Sequence, residues 1–345
     1  MPQHPQSDDR RFAWFPPLQP RTLGTLCGLL AAAGYTTANI GLRAVAHLDP
    51  VWVSAVKSAP TCVIMVPWLY WLWIRGARIF PDRRHTAILV VGALSGQFGG
   101  NVGFQWSLGV IGLALTSPLT TGSMILSGAI LGRFVLMEPI TIRSLGSMIV
   151  LIAATCVLSL GAREAGASIA VLPQLDAHSP DFWAQIAGGV VASILSGIGY
   201  AILGVTIRKN LTSRVPAASV LFLVATVGVA TVGGYGIARL GWAGIAGIAN
   251  RDYWAMAGAG ICNTAAFICL AIALRETSVI YVNSLSAVQV ALAGLLGVTL
   301  FGEVPSWSLA LGVGLTMVGL FLMHSRTSER HAPSPVRTDA EPIRS

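Results

Sequence analysis

Charge is scarce in this sequence. Charged residues make up 10% of the chain, against roughly 25% in soluble domains, which excludes an ordinary water-soluble surface. Cysteine is also sparse. The five present (Cys27, Cys62, Cys156, Cys262 and Cys269) all fall in apolar stretches, without paired spacing or neighbouring histidines. That excludes a disulfide framework or a Cys/His metal site and leaves small buried hydrophobes. No HExxH pair and no GxxxxGK[ST] phosphate loop occurs, so zinc-hydrolase chemistry and an ATP-driven pump lack their motifs. A polytopic lipid or sugar transferase would need a His, Asp or Glu constellation near the membrane interface, and only isolated charges are found. No catalytic residue, cofactor or metal is expected.

What the chain does have is apolar length. Hydrophobic residues make up 54% of it and the mean hydropathy is +0.70. Runs of about 20 apolar residues, enough to cross a bilayer, recur along almost the whole sequence. The 38 glycines suit a helical membrane protein, where small residues allow backbones to approach closely. A net charge of +8 would point to nucleic acid in a soluble protein. Here the cations lie in short loops between apolar runs, a pattern that sets membrane orientation. The expected partners are therefore membrane lipids and a small solute, not nucleic acid; oligomeric state is not legible.

Apolar windows predict spans near 22–45, 51–74, 86–109, 112–136, 141–161, 183–207, 216–237, 253–274, 278–301 and 305–323. The polar segment 1–21 reads as a cytoplasmic tail, 162–182 as an extracytoplasmic linker and 324–345 as a disordered cytoplasmic tail. Sharp turns are expected at 109–111 and 302–304. With the N-terminus inside, 17 Lys and Arg residues fall on the inner side and four on the outer. This asymmetry supports ten spans with both ends cytoplasmic in the cell membrane.

The sequence also repeats. A shift of 165 residues lays Gly34-Tyr35 on Gly199-Tyr200, Leu30 on Leu195, Arg43 on Arg208, Leu131-Gly132 on Leu296-Gly297 and Glu138 on Glu303. Each half, 22–161 and 183–323, holds five spans. That odd number inverts the second half relative to the first, an arrangement shared by many secondary transporters, with the solute site near the midplane. The fold expected is an all-α integral membrane protein of ten transmembrane helices in two inverted five-helix repeats.

These features together resemble the drug/metabolite transporter superfamily, specifically the ten-helix EamA-type transporters. The resemblance rests on the five-plus-five repeat and on the glutamates in GRFVLMEP (132–139) and GVTLFGEVP (297–305). The run ALTSPLT (114–120) and the glycine-dotted GVGLTMVGLFLM (312–323) add to it. It implies secondary active or facilitative transport of small metabolites or drugs by alternating access, in the export direction; uptake, or a membrane transferase, is the alternative.

Polar groups inside spans need a reason. Gln97, Asn101 and Gln105 recur every fourth residue, so three amides share one helix face, which must meet protein or a water-filled cavity. Tyr35 and Asn39 are likewise four apart, Tyr200 repeats Tyr35, and Asn263 lies one residue from the repeat-equivalent of Gln97. Span nine adds Tyr281, Asn283, Ser286 and Gln289. Lys57, the one basic residue well inside a span, either snorkels to the interface or faces the cavity and attracts an anionic solute. Glu138 and Glu303 stand at helix starts, where a carboxylate favours the positive end of the helix dipole, in a structural or gating role.

Overall fold

The structure is a computed structural model and describes residues 19–76, 79, 81–137, 142–160, 180–212 and 215–324. The tails, most of the 162–182 linker, and Glu138 lie outside the described residues. The described residues are mostly helical, with no strand among them.

The helices are α1 (Pro20–Ala44), α2 (Pro50–Ile74), α3 (Arg83–Leu94), α4 (Gly103–Val135), α5 (Ile142–Leu160) and α6 (Pro180–Thr212). They continue as α7 (Ala217–Val227), α8 (Gly234–Ala246), α9 (Asn250–Glu276), α10 (Val279–Leu285), α11 (Ala287–Phe301) and α12 (Trp307–His324). Two π-helical stretches, Ser95–Val102 between α3 and α4 and Gly228–Gly233 between α7 and α8, keep those segments continuous. Nothing in the periodicity announced them; both are rich in glycine, which accommodates the wider turn.

Among the described residues, five segments are long and apolar enough to cross a membrane: Pro50–Ile74, Arg83–Val135, Asp181–Leu211, Ala217–Ala246 and Asn250–Glu276. The second of these is not one rod. Gly112 (φ 75°, ψ 178°) reverses α4 between a first arm, 103–111, and a second, 113–135. The turn expected at 109–111 therefore falls one residue later, at the glycine able to adopt that backbone. The turn expected at 302–304 begins at Gly302 (φ 62°) and runs to Ser306.

Local chemistry explains the helix starts and the tolerated prolines. Asp49 caps α2, its Oδ1 accepting from the backbone N–H groups of Val51 (2.9 Å) and Trp52 (3.1 Å), with Pro50 in the first turn. Pro60 and Pro67 sit inside α2, a location that neighbouring helices make permissible in membrane proteins. Large apolar side chains face outward along the bundle, among them Leu30, Val63, Ile149, Leu195, Ile261 and Leu295. Exposed tryptophans 73, 183, 242, 254 and 307 cluster near helix ends. An apolar girdle with tryptophans at its rims is the surface of a protein embedded in lipid.

The helices pair in a reciprocal pattern. α1 packs along α9, and α6 packs along both arms of α4 and the π segment before them; α5 packs along α12. A 165-residue shift carries α1 onto α6 and α3 with its continuation onto α9, so the first pairing becomes the second. Close approach depends on the same glycine in both. A Cβ on Gly34 would lie 3.0 Å from the Ala266 Cβ, and one on Gly199 would lie 2.6 Å from the Ser95 carbonyl oxygen. Hydroxyls bind α4 to α6: Ser107 Oγ contacts Thr116 Oγ1 (2.9 Å), the Gly189 carbonyl (3.0 Å) and Ser193 Oγ. Small residues and short polar side chains are the usual adhesive where apolar burial offers no driving force.

Candidate functional site

Where α1, α2, α4, α6, α7, α9 and α11 converge, they leave a cavity of about 160 Å³. Its lining follows α9 from Asn263 to Leu274, a length of about 16 Å at 1.5 Å per residue. Beyond Phe104 it is closed by an apolar cluster that includes Leu42, Val53, Leu108, Leu113 and Met256.

A chain of hydrogen bonds forms one wall. Lys57, on α2, is 5% exposed, and its Nζ donates to Asn101 Oδ1 at 2.7 Å. Tyr200, on α6, donates its hydroxyl to the same oxygen at 2.8 Å. Asn101 Nδ2 donates to Gln97 Oε1 (2.6 Å), and Gln97 Nε2 donates to the Val224 carbonyl (3.3 Å). The two amides sit on the π-helical stretch, and π-bulges recur at functional sites. Glycines make room for the wall: a Cβ on Gly100 would meet the Tyr200 ring at 2.6 Å, and one on Gly228 would meet the Gln97 amide at 2.4 Å.

The opposite side is less committed. Tyr35, Asn39, Asn263 and Gln289 all line the cavity, and their side chains make no hydrogen bond among the described residues. Thr61 and Thr264 join α2 to α9 through their hydroxyls at 2.8 Å. Ser286, at the break between α10 and α11, also lines the space.

The structure thus brings Tyr35, Asn39, Lys57, Gln97, Asn101, Tyr200, Asn263 and Gln289 around one space and leaves two candidates out. Gln105, one turn beyond Asn101, meets the C-terminus of α1, where Nε2 donates to the Leu42 carbonyl at 3.0 Å. It occupies one of the acceptors a helix end leaves open. Tyr281 lies in the first turn of α10 and reaches the start of α1: its hydroxyl bonds Thr25 Oγ1 at 2.7 Å, and the Arg21 guanidinium lies over its ring at 6.0 Å. A Tyr281→Phe variant should lose at most about 1 kcal/mol of stability and transport at the wild-type rate, measured by thermal unfolding and solute flux. Asn283 lies on α10, and its side chain is outside the described ones. Lys57 does not snorkel; its α2 position turns it inward.

Polar residues alone could not reveal the rest of the lining. Phe104, Phe267, Met124, Leu270 and Val279 look like any other apolar residue of a span. Thr120, inside the run ALTSPLT, carried a usable signal.

Glu303 is placed unlike the simple expectation. It is 3% exposed and stands in the turn before α12, yet it caps a different helix. Its Oε1 accepts from Leu113 N–H and its Oε2 from Ala114 N–H, both at 2.7 Å, at the start of the second arm of α4. Arg43 Nε, at the end of α1, donates to Oε1 at 3.1 Å. One carboxylate therefore ties together three segments. Two glycines hold it: a Cβ on Gly112 would lie 2.5 Å from Oε1 and one on Gly297 2.6 Å from Oε2. On the same end, Arg239 pairs with Asp49 at 2.9 Å and His47 with Asp252 at 3.4 Å.

Fold and site define a multi-pass helical membrane protein with a polar cavity inside an apolar bundle. Residues 187–325 match the EamA-like transporter family, so the resemblance in the sequence motifs is borne out over the second half. One solved crystal structure has this fold at a TM-score of 0.58, with 19% sequence identity, covering 88% of this chain and 96% of that one. No curated protein sequence matches the chain.

Proposed function

We propose that the protein is a secondary active or facilitative transporter that exports a small metabolite or drug by alternating access. The observation that carries this reading is the cavity, whose polar lining comes from both halves of the chain and includes four side chains that make no hydrogen bond among the described residues. Ten spans form two inverted repeats, 22–161 and 183–323, with both termini cytoplasmic. The 17-to-4 distribution of Lys and Arg and the exchange of helix pairings under the 165-residue shift support this arrangement. Two halves that are equivalent but inverted can trade conformations, so one sequence supplies both an outward-open and an inward-open state around a fixed site. Tyr35, Asn39, Lys57, Gln97, Asn101, Tyr200, Asn263 and Gln289 form the solute site. Glu303 has a structural or gating role at the outer end.

Counterflow of a labelled solute panel into proteoliposomes, with and without a proton gradient, tests the activity. Counterflow without a gradient marks facilitated exchange, and a gradient requirement marks coupling. Membrane-impermeant cysteine labelling tests the threading: cysteines introduced at Met1 and Ser345 should react from the same side of the membrane. Reaction from opposite sides would remove both the inversion and the transport mechanism built on it.

A further inference from the structure

Among the described residues, the cavity lining includes one basic side chain, Lys57, and no acidic one. Lys57 Nζ has three protons to donate, and its one bond among the described residues goes to a neutral amide oxygen, Asn101 Oδ1. No Asp or Glu lines the cavity among the described residues. The acids toward the closed end are engaged elsewhere: Glu303 with Arg43, Leu113 and Ala114, Asp49 with Arg239 and the α2 cap, and Asp252 with His47. A buried ammonium without an anion is strongly unfavourable, so a lysine in such a place either sheds its proton or takes an anion as partner, and an arriving anion favours the charged form. An intramembrane charge facing a cavity marks a functional site whose partner has to be found.

The rest of the lining specifies that partner. Tyr35, Phe104 and Phe267 supply aromatic surface, and Leu270, Leu274 and Val279 supply aliphatic surface. A cavity of about 160 Å³ has room for roughly five waters at ~30 Å³ each, and a cavity of about that size encloses one benzene ring, so the solute body is about one ring in bulk. A cationic or zwitterionic solute would place an ammonium in a space with no carboxylate to receive it and with Lys57 repelling it. A dianion would leave one of its charges unmatched.

Resting on the reading that this cavity is the solute site, we infer that the solute is a monoanion with an aromatic or aliphatic body and no cationic group. Its anionic head sits on Lys57, and its body lies along the apolar side.

Three probes of similar size and fixed charge test this in proteoliposomes of the purified full chain: phenylmethanesulfonate, phenylmethanesulfonamide and benzyltrimethylammonium. Protein-dependent flux of the sulfonate should exceed that of the other two by about ten- to a hundredfold, the range of a hydrogen bond to a charged group. Lys57→Gln should erase that preference and Lys57→Arg should retain it. The sulfonate should also raise the thermal unfolding midpoint of the wild type in detergent and not that of Lys57→Gln, which separates lost recognition from lost folding. Flux of the ammonium or the sulfonamide equal to or above that of the sulfonate would overturn the monoanion inference and leave the transporter intact. So would a sulfonate preference that survives Lys57→Gln. No protein-dependent flux of any of the three would count against the transport reading itself and take the inference with it.

Discussion

A Gly112→Ala variant is expected to lose about 3 kcal/mol or more of stability and to yield little monodisperse protein in detergent. Two effects coincide at this position. The backbone (φ 75°, ψ 178°) lies in a region open in practice only to glycine, where any other residue carries strain of about 1–3 kcal/mol. The added methyl would also stand 2.5 Å from Glu303 Oε1 and force the carboxylate off the Leu113 and Ala114 N–H groups. Glu303→Gln should approach the same loss by another route. Its amide offers one acceptor where the carboxylate uses two, and it leaves Arg43 without its anion; breaking a buried pair from one side costs about 3–5 kcal/mol. Gly258→Ala is the control, because a Cβ there meets nothing within 4 Å; a small gain of about 0.4–1 kcal/mol is expected. Thermal unfolding of the three proteins decides the matter. An unchanged midpoint for Glu303→Gln would mean that the three-segment tie contributes little.

The second large effect concerns transport. Asn101 Oδ1 accepts from both Lys57 and Tyr200 while Nδ2 donates to Gln97, so Asn101→Ala removes the node of the whole wall. Lys57 and Tyr200 lose their shared acceptor, and solute flux should fall about ten- to a hundredfold, the value of one hydrogen bond to a charged group. Asn101→Asp separates geometry from charge. A carboxylate at this point pairs with Lys57, so the protein should remain folded while the lysine becomes unavailable to an anion. Flux should fall as far as in Asn101→Ala, with no matching fall in the unfolding midpoint. Because these residues act as one network, Lys57→Gln and Asn101→Ala should be far from additive in a double-mutant cycle. Wild-type flux in Asn101→Ala would remove this wall from the transport path.

Membrane character and helical class were legible from the sequence because both are written in local quantities. Twenty apolar residues in a row, a scarcity of charge and cations gathered in short loops need no knowledge of neighbours. The 165-residue recurrence of residue types was legible for the same reason: Gly34 and Gly199 each stand where two helices approach closely, and only a small residue fits there. Spacing also brought out Gln97, Asn101, Tyr35 and Asn39, because an amide or phenol inside a span must avoid lipid.

What a side chain avoids does not say what it meets. Gln97 and Gln105 have the same chemistry on the same face, yet one lines the cavity and the other caps α1, because α1 crosses the bundle one turn beyond Asn101. Tyr200 and Tyr281 diverge in the same way, one bonded to Asn101 in the cavity and the other to Thr25 at the start of α1. Glu303 reads as a carboxylate at a helix start, but the helix it caps is 190 residues away in sequence, a pairing no local window contains. By itself, then, the sequence determined a lipid-embedded helical protein and a short roster of polar residues. Only the packed chain decided which of them share a space, that Phe104 and Phe267 complete it, and that no acid among the described residues lines that space beside Lys57, because those facts depend on which helices become neighbours.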